Sequence, residues 1–322
     1  MSVRSLAPTR PLDPAKFRDP RVTAKGEARA SVALAGLETL WFNTGTLCNI
    51  SCAACYIESS PRNDALVYLS AAEVAGYLDE AAASALPLRE IGFTGGEPFM
   101  NPALPAMLAE VLGRPAGLRA LVLTNAMKPM QRYRAVLLAL KARFGADRLI
   151  LRVSLDHHEA APHDMERGAG SFAQALEGLV WLAREGFVVH VAGRAGFDGQ
   201  SEAAMRQGFA RLFAEHAIPI DAEDPAALML FPEMNAALDV PEITTACWGI
   251  LSKSPESVMC ATSRMVVKRK GAAAPAVVAC TLLPYDKQFE LGATLAEASR
   301  DVALNHPHCA KFCVLGGAAC SR

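Results

Sequence analysis

The sequence lacks the two features that would send a chain into or across a membrane. No run of about 18 uninterrupted apolar residues occurs, and the start, residues 1–6, has no apolar segment of the kind found in secretory signal peptides. The formal net charge of −1 over 322 residues offers no excess of positive charge to attract nucleic acid or anionic lipid. These absences predict a cytoplasmic protein that binds neither nucleic acid nor a membrane.

Cysteine is present nine times, although nothing in the sequence indicates export to an oxidising compartment. Disulfides are rare in cytoplasmic proteins, so the cysteines are better explained as metal ligands. Apolar residues make up 52% of the chain, which is ample for a buried core. The length suits one large α/β domain with a smaller appendage.

Three of the cysteines, Cys48, Cys52 and Cys55, are spaced C-x3-C-x2-C after an apolar run at residues 37–43. Thiolates this close together on a loop can hold one iron–sulfur cluster, and three ligands would leave one iron open to another molecule. A structural zinc site is the alternative. Zinc sites use paired C-x2-C units with a fourth ligand nearby, and no Cys or His follows Cys55 before His157.

From residue 37 onward, short β-rich runs alternate with longer helical patterns. Capping boxes at Ser70/Glu73 and Ser171/Gln174 predict the starts of two helices. The predicted strands are 37–43, 90–94, 119–124, 148–154, 188–192 and 227–230, and the predicted helices are 70–85, 102–112, 130–144, 171–185 and 201–216. Six such units with apolar strands predict a parallel sheet, either an open doubly wound sheet or an incomplete barrel.

In both architectures the chemistry belongs in the loops that follow the carboxyl ends of the strands. Unusual residues follow each of the first five predicted strands. In chain order they are the cysteine triad, Gly95-Gly96-Glu97-Pro98, Thr124-Asn125, Ser154 with Asp156, and Arg194. Five such groups on the same edge of a sheet predict a functional site there.

The cysteine spacing, combined with the later Gly-Gly-Glu-Pro, resembles the radical S-adenosylmethionine (radical SAM) superfamily over roughly residues 37–235. The resemblance implies a partial (β/α)6 TIM-like barrel, followed here by a small cysteine-rich α+β extension. It implies that Cys48, Cys52 and Cys55 are catalytic and bind three irons of a [4Fe–4S] cluster. The fourth iron would take the amino and carboxylate groups of S-adenosylmethionine. Reductive cleavage would then give a 5′-deoxyadenosyl radical that abstracts hydrogen from a substrate, with an external one-electron reductant of the flavodoxin or ferredoxin type.

The resemblance also assigns cofactor contacts on the strand ends. They are Tyr56, Gly95, Gly96, Glu97, Asn125, Ser154, Asp156 and Arg194. The glycines would let backbone carbonyls approach the ammonium group, Ser154 and Asp156 would bind the ribose, and Arg194 would pair with the carboxylate. The alternatives are a tight turn for the glycines, helix or turn capping for Asp156 and a surface ion pair for Arg194.

Two further features of this edge are a departure from the family's motif and the segment that follows the fourth predicted strand. Ala126 stands where the family's Thr-Asn-Gly has glycine. The segment from His157 to Arg167 is interpreted as a structural part of the barrel rim, with a role in substrate binding as the alternative.

The remaining six cysteines lie in residues 247–320, around a predicted hairpin made of residues 265–271 and 275–279. This pattern is similar to the SPASM and Twitch extensions, which hold auxiliary iron–sulfur clusters. We expect one auxiliary [4Fe–4S] cluster, held by Cys260, Cys280 and two of Cys309, Cys313 and Cys320. Cys247 is either a further ligand or a buried thiol. A zinc site is again the alternative, since four thiolates suit either metal.

The predicted divisions are an N-terminal extension at 1–36, a radical SAM barrel at 37–240 and an auxiliary-cluster domain at 241–322. The function predicted is that of a radical SAM oxidoreductase or maturase acting on a peptide, as in maturation of ribosomally made peptides, or on a small metabolite. A small-molecule dehydrogenase or epimerase and a non-catalytic iron–sulfur protein are the alternatives. We expect no leader-recognition domain before the barrel, and the lack of a visible cobalamin-binding domain argues against methylation or rearrangement.

Overall fold

The computed structural model describes residues 10–114, 117–196, 199–232 and 235–317. Its strands are β1 (Ser31–Val32), β2 (Thr39–Asn43), β3 (Glu90–Thr94), β4 (Arg119–Thr124), β5 (Leu149–Ser154), β6 (Val188–Ala195), β7 (Leu228–Pro232), β8 (Ser263–Val267), β9 (Ala276–Val278), β10 (Glu290–Gly292) and β11 (Val302–Ala303).

Its α-helices are α1 (Ala71–Ala83), α2 (Leu104–Gly113), α3 (Lys128–Gln131), α4 (Arg134–Phe144), α5 (Ala160–Arg167), α6 (Ser171–Arg184), α7 (Glu202–Glu215) and α8 (Cys247–Ile250). Short 3-10 turns occupy Pro98–Met100, Pro255–Ser257, Met259–Ala261, Lys287–Phe289 and Glu297–Ser299, and a π-helix spans Cys309–Leu315. None of the described helices is long and apolar enough to cross a bilayer.

Strands β2 to β7 pair in sequence order, and every pair among them is parallel. Helices separate the successive strands, as parallel crossovers require. Within the described residues β7 pairs with no strand except β6, so the sheet stays open. The prediction of a partial (β/α)6 barrel is therefore confirmed. All residues of β2 and β3 are buried, as expected for strands covered on both faces.

The cysteine-rich segment extends the same sheet. Strand β8 pairs parallel with β2, and β9 returns antiparallel beside β8, which confirms the predicted hairpin. The sheet thus has nine strands in the order β10-β9-β8-β2-β3-β4-β5-β6-β7. This pairing puts the turn of the hairpin beside the loop after β2, where the Val67 N–H donates to the Lys268 carbonyl at 2.8 Å, and it puts the residues before β8 beside the start of β2.

The described part of the N-terminal extension lies against the C-terminal third of the chain. Strand β1 pairs with β11, and Arg29 forms a buried ion pair with Glu242 at 2.5 Å. A second ion pair joins Lys16 to Asp239 at 2.7 Å. Residues 10–36 thus pack against the C-terminal third of the chain.

Two local predictions differ from the structure. The Ser70/Glu73 capping box is present at α1, but the one predicted at Ser171/Gln174 is wrong. Ser171 is already helical, and Asp164 accepts hydrogen bonds from the backbone N–H groups of Gly170 and Phe172. The helix predicted over residues 130–144 is divided into α3 and α4 at Arg132 and Tyr133.

Candidate active site

An open cavity, here called the central cavity, lies at the carboxyl ends of the parallel strands. Strands β3 to β7 each line it with residues at or near their last positions. These residues are Thr94, Leu123, Thr124, Asn125, Ser154, Asp156, Ala192, Arg194, Phe231 and Pro232. The loop after β2 adds Cys48, Cys52, Cys55 and Tyr56, and the loop after β3 adds Gly95 and Gly96. Parallel pairing brings all these groups to one edge of the sheet.

The cysteine loop is fixed by backbone hydrogen bonds to its neighbours. The N–H groups of Gly96 and Glu97 donate to the carbonyls of Gly45 and Leu47, at 2.8 and 3.1 Å. A Cβ added at Gly96 would lie 2.1 Å from the Leu47 carbonyl oxygen. Glycine is therefore required at position 96 because the loop after β3 packs directly against the cysteine loop.

The loop thiols suit an iron cluster. Burial raises the pKa of Cys48 to about 12, and the negative charges of Glu97, Cys52 and Cys55 add to that effect. Burial also raises the pKa of Cys52, against the opposing effect of Arg167. Such thiols stay protonated at neutral pH until a cation binds them as thiolates. Their shared position on the wall of one cavity fits a common cationic group.

Glu97 lies behind this wall rather than on it. Its carboxylate accepts hydrogen bonds from the Thr124 hydroxyl and the Asn125 N–H, both at 2.8 Å, and from the Phe99 N–H at 3.2 Å. Burial raises the pKa of Glu97 to about 7, although these hydrogen bonds oppose the shift. The carboxylate thus joins the loop after β3 to the end of β4 and positions the wall of the cavity.

Asn125 connects the end of β4 to the cysteine loop. Its Nδ2 donates to Asn49 Oδ1 at 2.9 Å, and its Oδ1 accepts from the Met127 N–H at 3.0 Å. Ala126, next to it, has a positive φ of 57°. The backbone conformation that glycine would supply here is therefore adopted by alanine, at some steric cost.

Two ion pairs also line the central cavity. Arg167 donates to both carboxylate oxygens of Asp156, at 2.8 and 2.9 Å, and Arg194 pairs with Glu166 at 2.6 Å. Burial raises the pKa of Asp156, but the charge and hydrogen bonds of Arg167, together with the electrostatic effects of His163 and Arg194, outweigh it and leave the pKa below its ordinary value. Asp156 and Arg194 therefore both reach the cavity, as the sequence predicts, with protein partners already in place.

Glu166 and Arg167 line the same cavity at the end of α5. Sequence analysis passed over Glu166 and treated Arg167 as structural. The available signal was an adjacent acid and base, shortly after a strand end, in a helix that ends at Gly168.

The remaining wall is apolar and comes partly from the cysteine-rich segment. Leu282 follows Cys280 by two positions, and Phe312 directly precedes Cys313. The ring of Phe312 packs against Phe231 from β7, with centroids 5.4 Å apart. None of these three residues carries a motif, so the sequence analysis missed them.

The auxiliary cysteines gather next to this wall. Cys260 lies just before β8 and Cys280 just after β9, while Cys309 begins the π-helix that contains Cys313. Burial raises the pKa of Cys309 well above its ordinary value, and the charges of Cys280 and Cys260 raise it further. These three thiols are thus within electrostatic range of one another. Cys320 lies outside the described residues.

Cys247 has a local role of its own, because its Sγ accepts a hydrogen bond from the Thr244 N–H at 3.3 Å. No two of the eight described cysteines form a disulfide. No group of three or more His, Cys, Asp or Glu side chains in the described ranges is arranged for a single metal ion.

Comparison with known proteins identifies the family. A model described as the radical SAM superfamily matches residues 42–210, which is more than half of the chain. The chain belongs to the radical SAM superfamily. The cofactors of this superfamily, a [4Fe–4S] cluster and S-adenosylmethionine, are those that the sequence predicts for this chain.

A curated relative, the antilisterial bacteriocin subtilosin biosynthesis protein AlbA of Bacillus subtilis (strain 168), is 33% identical over 146 residues. That match covers 45% of this chain but only 30% of AlbA.

Solved radical SAM structures have the same fold. Streptococcus suis SuiB bound to S-adenosylmethionine has a TM-score of 0.57 and 11% identity, over 80% of this chain and 64% of SuiB. The protein anSMEcpe with bound AdoMet also has a TM-score of 0.57, with 12% identity over 81% of this chain and 79% of anSMEcpe. At these identities the similarity concerns the fold alone.

Proposed function

We propose that this radical SAM enzyme modifies a peptide by abstracting hydrogen from it, and that an auxiliary [4Fe–4S] cluster assists the oxidation or crosslinking that follows. The name of AlbA, the curated relative, refers to the biosynthesis of a bacteriocin. SuiB, which shares the fold, has also been solved bound to its precursor peptide SuiA. These relatives support a peptide substrate, and a small metabolite is the second candidate.

The observation that carries the proposal is the composition of the central cavity. Its lining includes the Cys48–Cys55 loop together with Leu282 and Phe312, which are close in sequence to the auxiliary cysteines Cys280 and Cys313. A substrate held between them would lie close to both groups of thiols. An oxidation that removes a second electron after hydrogen abstraction needs an electron acceptor close to the substrate, and an auxiliary cluster in this position would meet that need.

Each wall of the cavity has its own task. Cys48, Cys52 and Cys55 would hold the cluster, which would supply the electron for reductive cleavage of S-adenosylmethionine and hence the means to take hydrogen from carbon. The backbone at Gly95 and Gly96, with Ser154, would orient the cofactor through hydrogen bonds. The Asp156–Arg167 and Glu166–Arg194 pairs supply fixed charges of both signs for its amino, carboxylate and ribose groups. The apolar side excludes water from the substrate carbon.

The first test is anaerobic reconstitution with iron and sulfide, followed by S-adenosylmethionine and dithionite. We expect 5′-deoxyadenosine from the wild-type protein and none from the Cys48→Ala/Cys52→Ala/Cys55→Ala variant. Full iron loading of the wild type without any 5′-deoxyadenosine would rule out catalysis.

Iron and sulfide counts on the same triple variant test the auxiliary site. We expect one cluster to remain, and its loss when Cys260→Ala and Cys280→Ala are added. Cys247→Ala is the matched control, and its iron content should stay unchanged because Cys247 bonds locally to Thr244. A triple variant without iron would disprove the auxiliary assignment.

The substrate class is tested by mass spectrometry of short peptides encoded beside the gene. A peptide substrate should lose hydrogen in proportion to the 5′-deoxyadenosine formed. If these peptides stay unchanged while a small metabolite is oxidised, the small-molecule alternative replaces the proposal.

A further inference from the structure

A second open cavity, here called the side cavity, borders the cysteine loop at Asn49 and Ile50. Ile50 and Arg167 line both cavities, so the two are neighbours. Asn49, between Cys48 and Ile50, lines the side cavity and bonds to Asn125 in the central one. The side cavity therefore lies against the predicted cluster loop.

All the charged side chains that line the side cavity are positive. Its lining includes Lys128, Arg132 and Arg167 and, among the described residues, no Asp or Glu. Arg167 is neutralised by Asp156. Lys128 and Arg132 are both exposed, and neither has a carboxylate partner in the described part of the chain. In a chain with a net charge of −1, this is a local concentration of uncompensated positive charge.

The floor between these cations is apolar. Phe99 and Tyr133 pack with their ring centroids 5.8 Å apart, and Met100 and Met127 lie beside them. Lys128 and Arg132 are four residues apart, a spacing that puts both side chains on one side of a helical turn. A small apolar floor with charges at its edge is typical of weak, short-lived electron-transfer contacts.

We infer that the side cavity is the docking surface for an acidic one-electron carrier protein of the flavodoxin or ferredoxin type. The inference rests on the proposed function, because it supplies the electron for the cluster held by Cys48, Cys52 and Cys55. The central cavity is occupied by cofactor and substrate during turnover, so an electron must enter from another face of the loop. In this step the carrier loses one electron and the cluster gains it, with no bond made or broken.

The test compares two ways of delivering the electron to the reconstituted full-length protein. One is a purified bacterial flavodoxin or ferredoxin, kept reduced by NADPH and its reductase, and the other is dithionite. The variant is Lys128→Glu/Arg132→Glu. The matched control is Lys25→Glu/Arg143→Glu, which makes the same change in net charge at two exposed cations outside both cavities.

At low ionic strength we expect formation of 5′-deoxyadenosine with the carrier to fall about tenfold or more in the variant, since complementary charge raises association rates by at least that factor. Formation with dithionite should stay unchanged, and the control variant should behave like the wild type with both reductants. Salt should slow the wild type with the carrier but have little effect on the variant.

A second readout does not depend on catalysis. Carbodiimide joins lysines to carboxylates in contact, so it should crosslink the wild type and the control to the carrier but not the Lys128→Glu/Arg132→Glu variant. Absence of crosslinks between the wild type and both carriers would overturn the inference.

The other outcomes are distinguishable. Equal rates for wild type and variant with the carrier disprove the docking surface, and equal losses with dithionite assign these residues to folding or cluster assembly instead. A variant that is reduced normally by the carrier but no longer binds a precursor peptide would make the surface a peptide site. Wild-type protein that forms no 5′-deoxyadenosine with dithionite contradicts the proposed function itself.

Discussion

Gly96 and Glu97 are adjacent, yet they support the central cavity in different ways. Glu97 provides acceptors for two buried backbone N–H groups and for the Thr124 hydroxyl. Leaving such donors unpaired costs about 1–3 kcal/mol each. Gly96 provides space, because the backbone of Leu47 lies where a Cβ would be. Both residues hold the cysteine loop in place.

Gly96→Ala should therefore displace the cysteine loop. A Cβ at 2.1 Å from the Leu47 carbonyl oxygen meets backbone that cannot rotate away, so we expect a destabilisation of about 1–3 kcal/mol. Iron bound by the Cys48–Cys55 loop should fall as well. Denaturant unfolding and iron counts on the Cys260→Ala/Cys280→Ala background measure both effects.

The control is Gly76→Ala, at an exposed position inside α1 where an added Cβ meets nothing within 4 Å. Alanine favours helix over glycine by about 1 kcal/mol, so this variant should be slightly more stable and keep its iron. A Gly96→Ala protein that behaves like Gly76→Ala would contradict the packing argument.

At the scale of the elements, α5 is attached to two strand ends by its last two residues. Arg167 pairs with Asp156 beyond the end of β5, and Glu166 pairs with Arg194 near the end of β6. The Glu166 carbonyl also accepts from the Ala53 N–H at 2.8 Å, within the cysteine loop. This short helix thus links the cysteine loop to the ends of β5 and β6.

Asp156→Asn should destabilise the cluster-free protein by about 3 kcal/mol, because it leaves the largely buried Arg167 guanidinium without its counter-charge. Replacing both partners, as Asp156→Asn/Arg167→Met, should recover part of the loss. Urea unfolding of the single and double variants measures both changes. The exposed Lys270–Asp64 pair is the control, and Asp64→Asn should have little effect. A single variant as stable as the wild type would show that solvent compensates the charge of Arg167.

For the whole molecule, buried histidines determine the response to acid. Burial lowers the pKa of His163, His190 and His308 from 6.5 to about 4, with further lowering from Arg167, Arg152 and His306 respectively. The backbone N–H of Asp156 also donates to His163 Nδ1 at 3.1 Å, which requires that nitrogen to be unprotonated. These three side chains are therefore neutral in the folded protein.

Stability should be fully present above pH 6.5 and fall as the pH is lowered toward 4. In that window the unfolded chain binds protons that the folded chain does not, and His163 alone accounts for roughly 2 kcal/mol near pH 5. Glu97 acts oppositely between pH 7 and 4.5, because its pKa is raised by folding, and Glu90 acts in the same sense, but the histidines with a lowered pKa outnumber these two carboxyls.

Urea unfolding at pH 7 and near pH 5 measures this dependence, and His163→Gln should make it shallower. A stability that is constant or increases on acidification would contradict the neutral state of these histidines.

The sequence alone determined the alternation of strands and helices, the edge at which the unusual residues meet, and the spacing of the cysteine triad. These features depend on neighbours a few residues away, through side-chain periodicity, loop length and parallel pairing. It was wrong at Ser171, where Asp164 from the preceding helix caps α6.

Only the tertiary structure decided which side chains meet across the central cavity. The partners of Asp156 and Arg194, the position of Glu97 behind the wall, and the closure by Phe231, Leu282 and Phe312 all join separate elements. Their contacts depend on how strands and helices pack in three dimensions. The physical reason is that no local pattern encodes a contact between residues tens of positions apart.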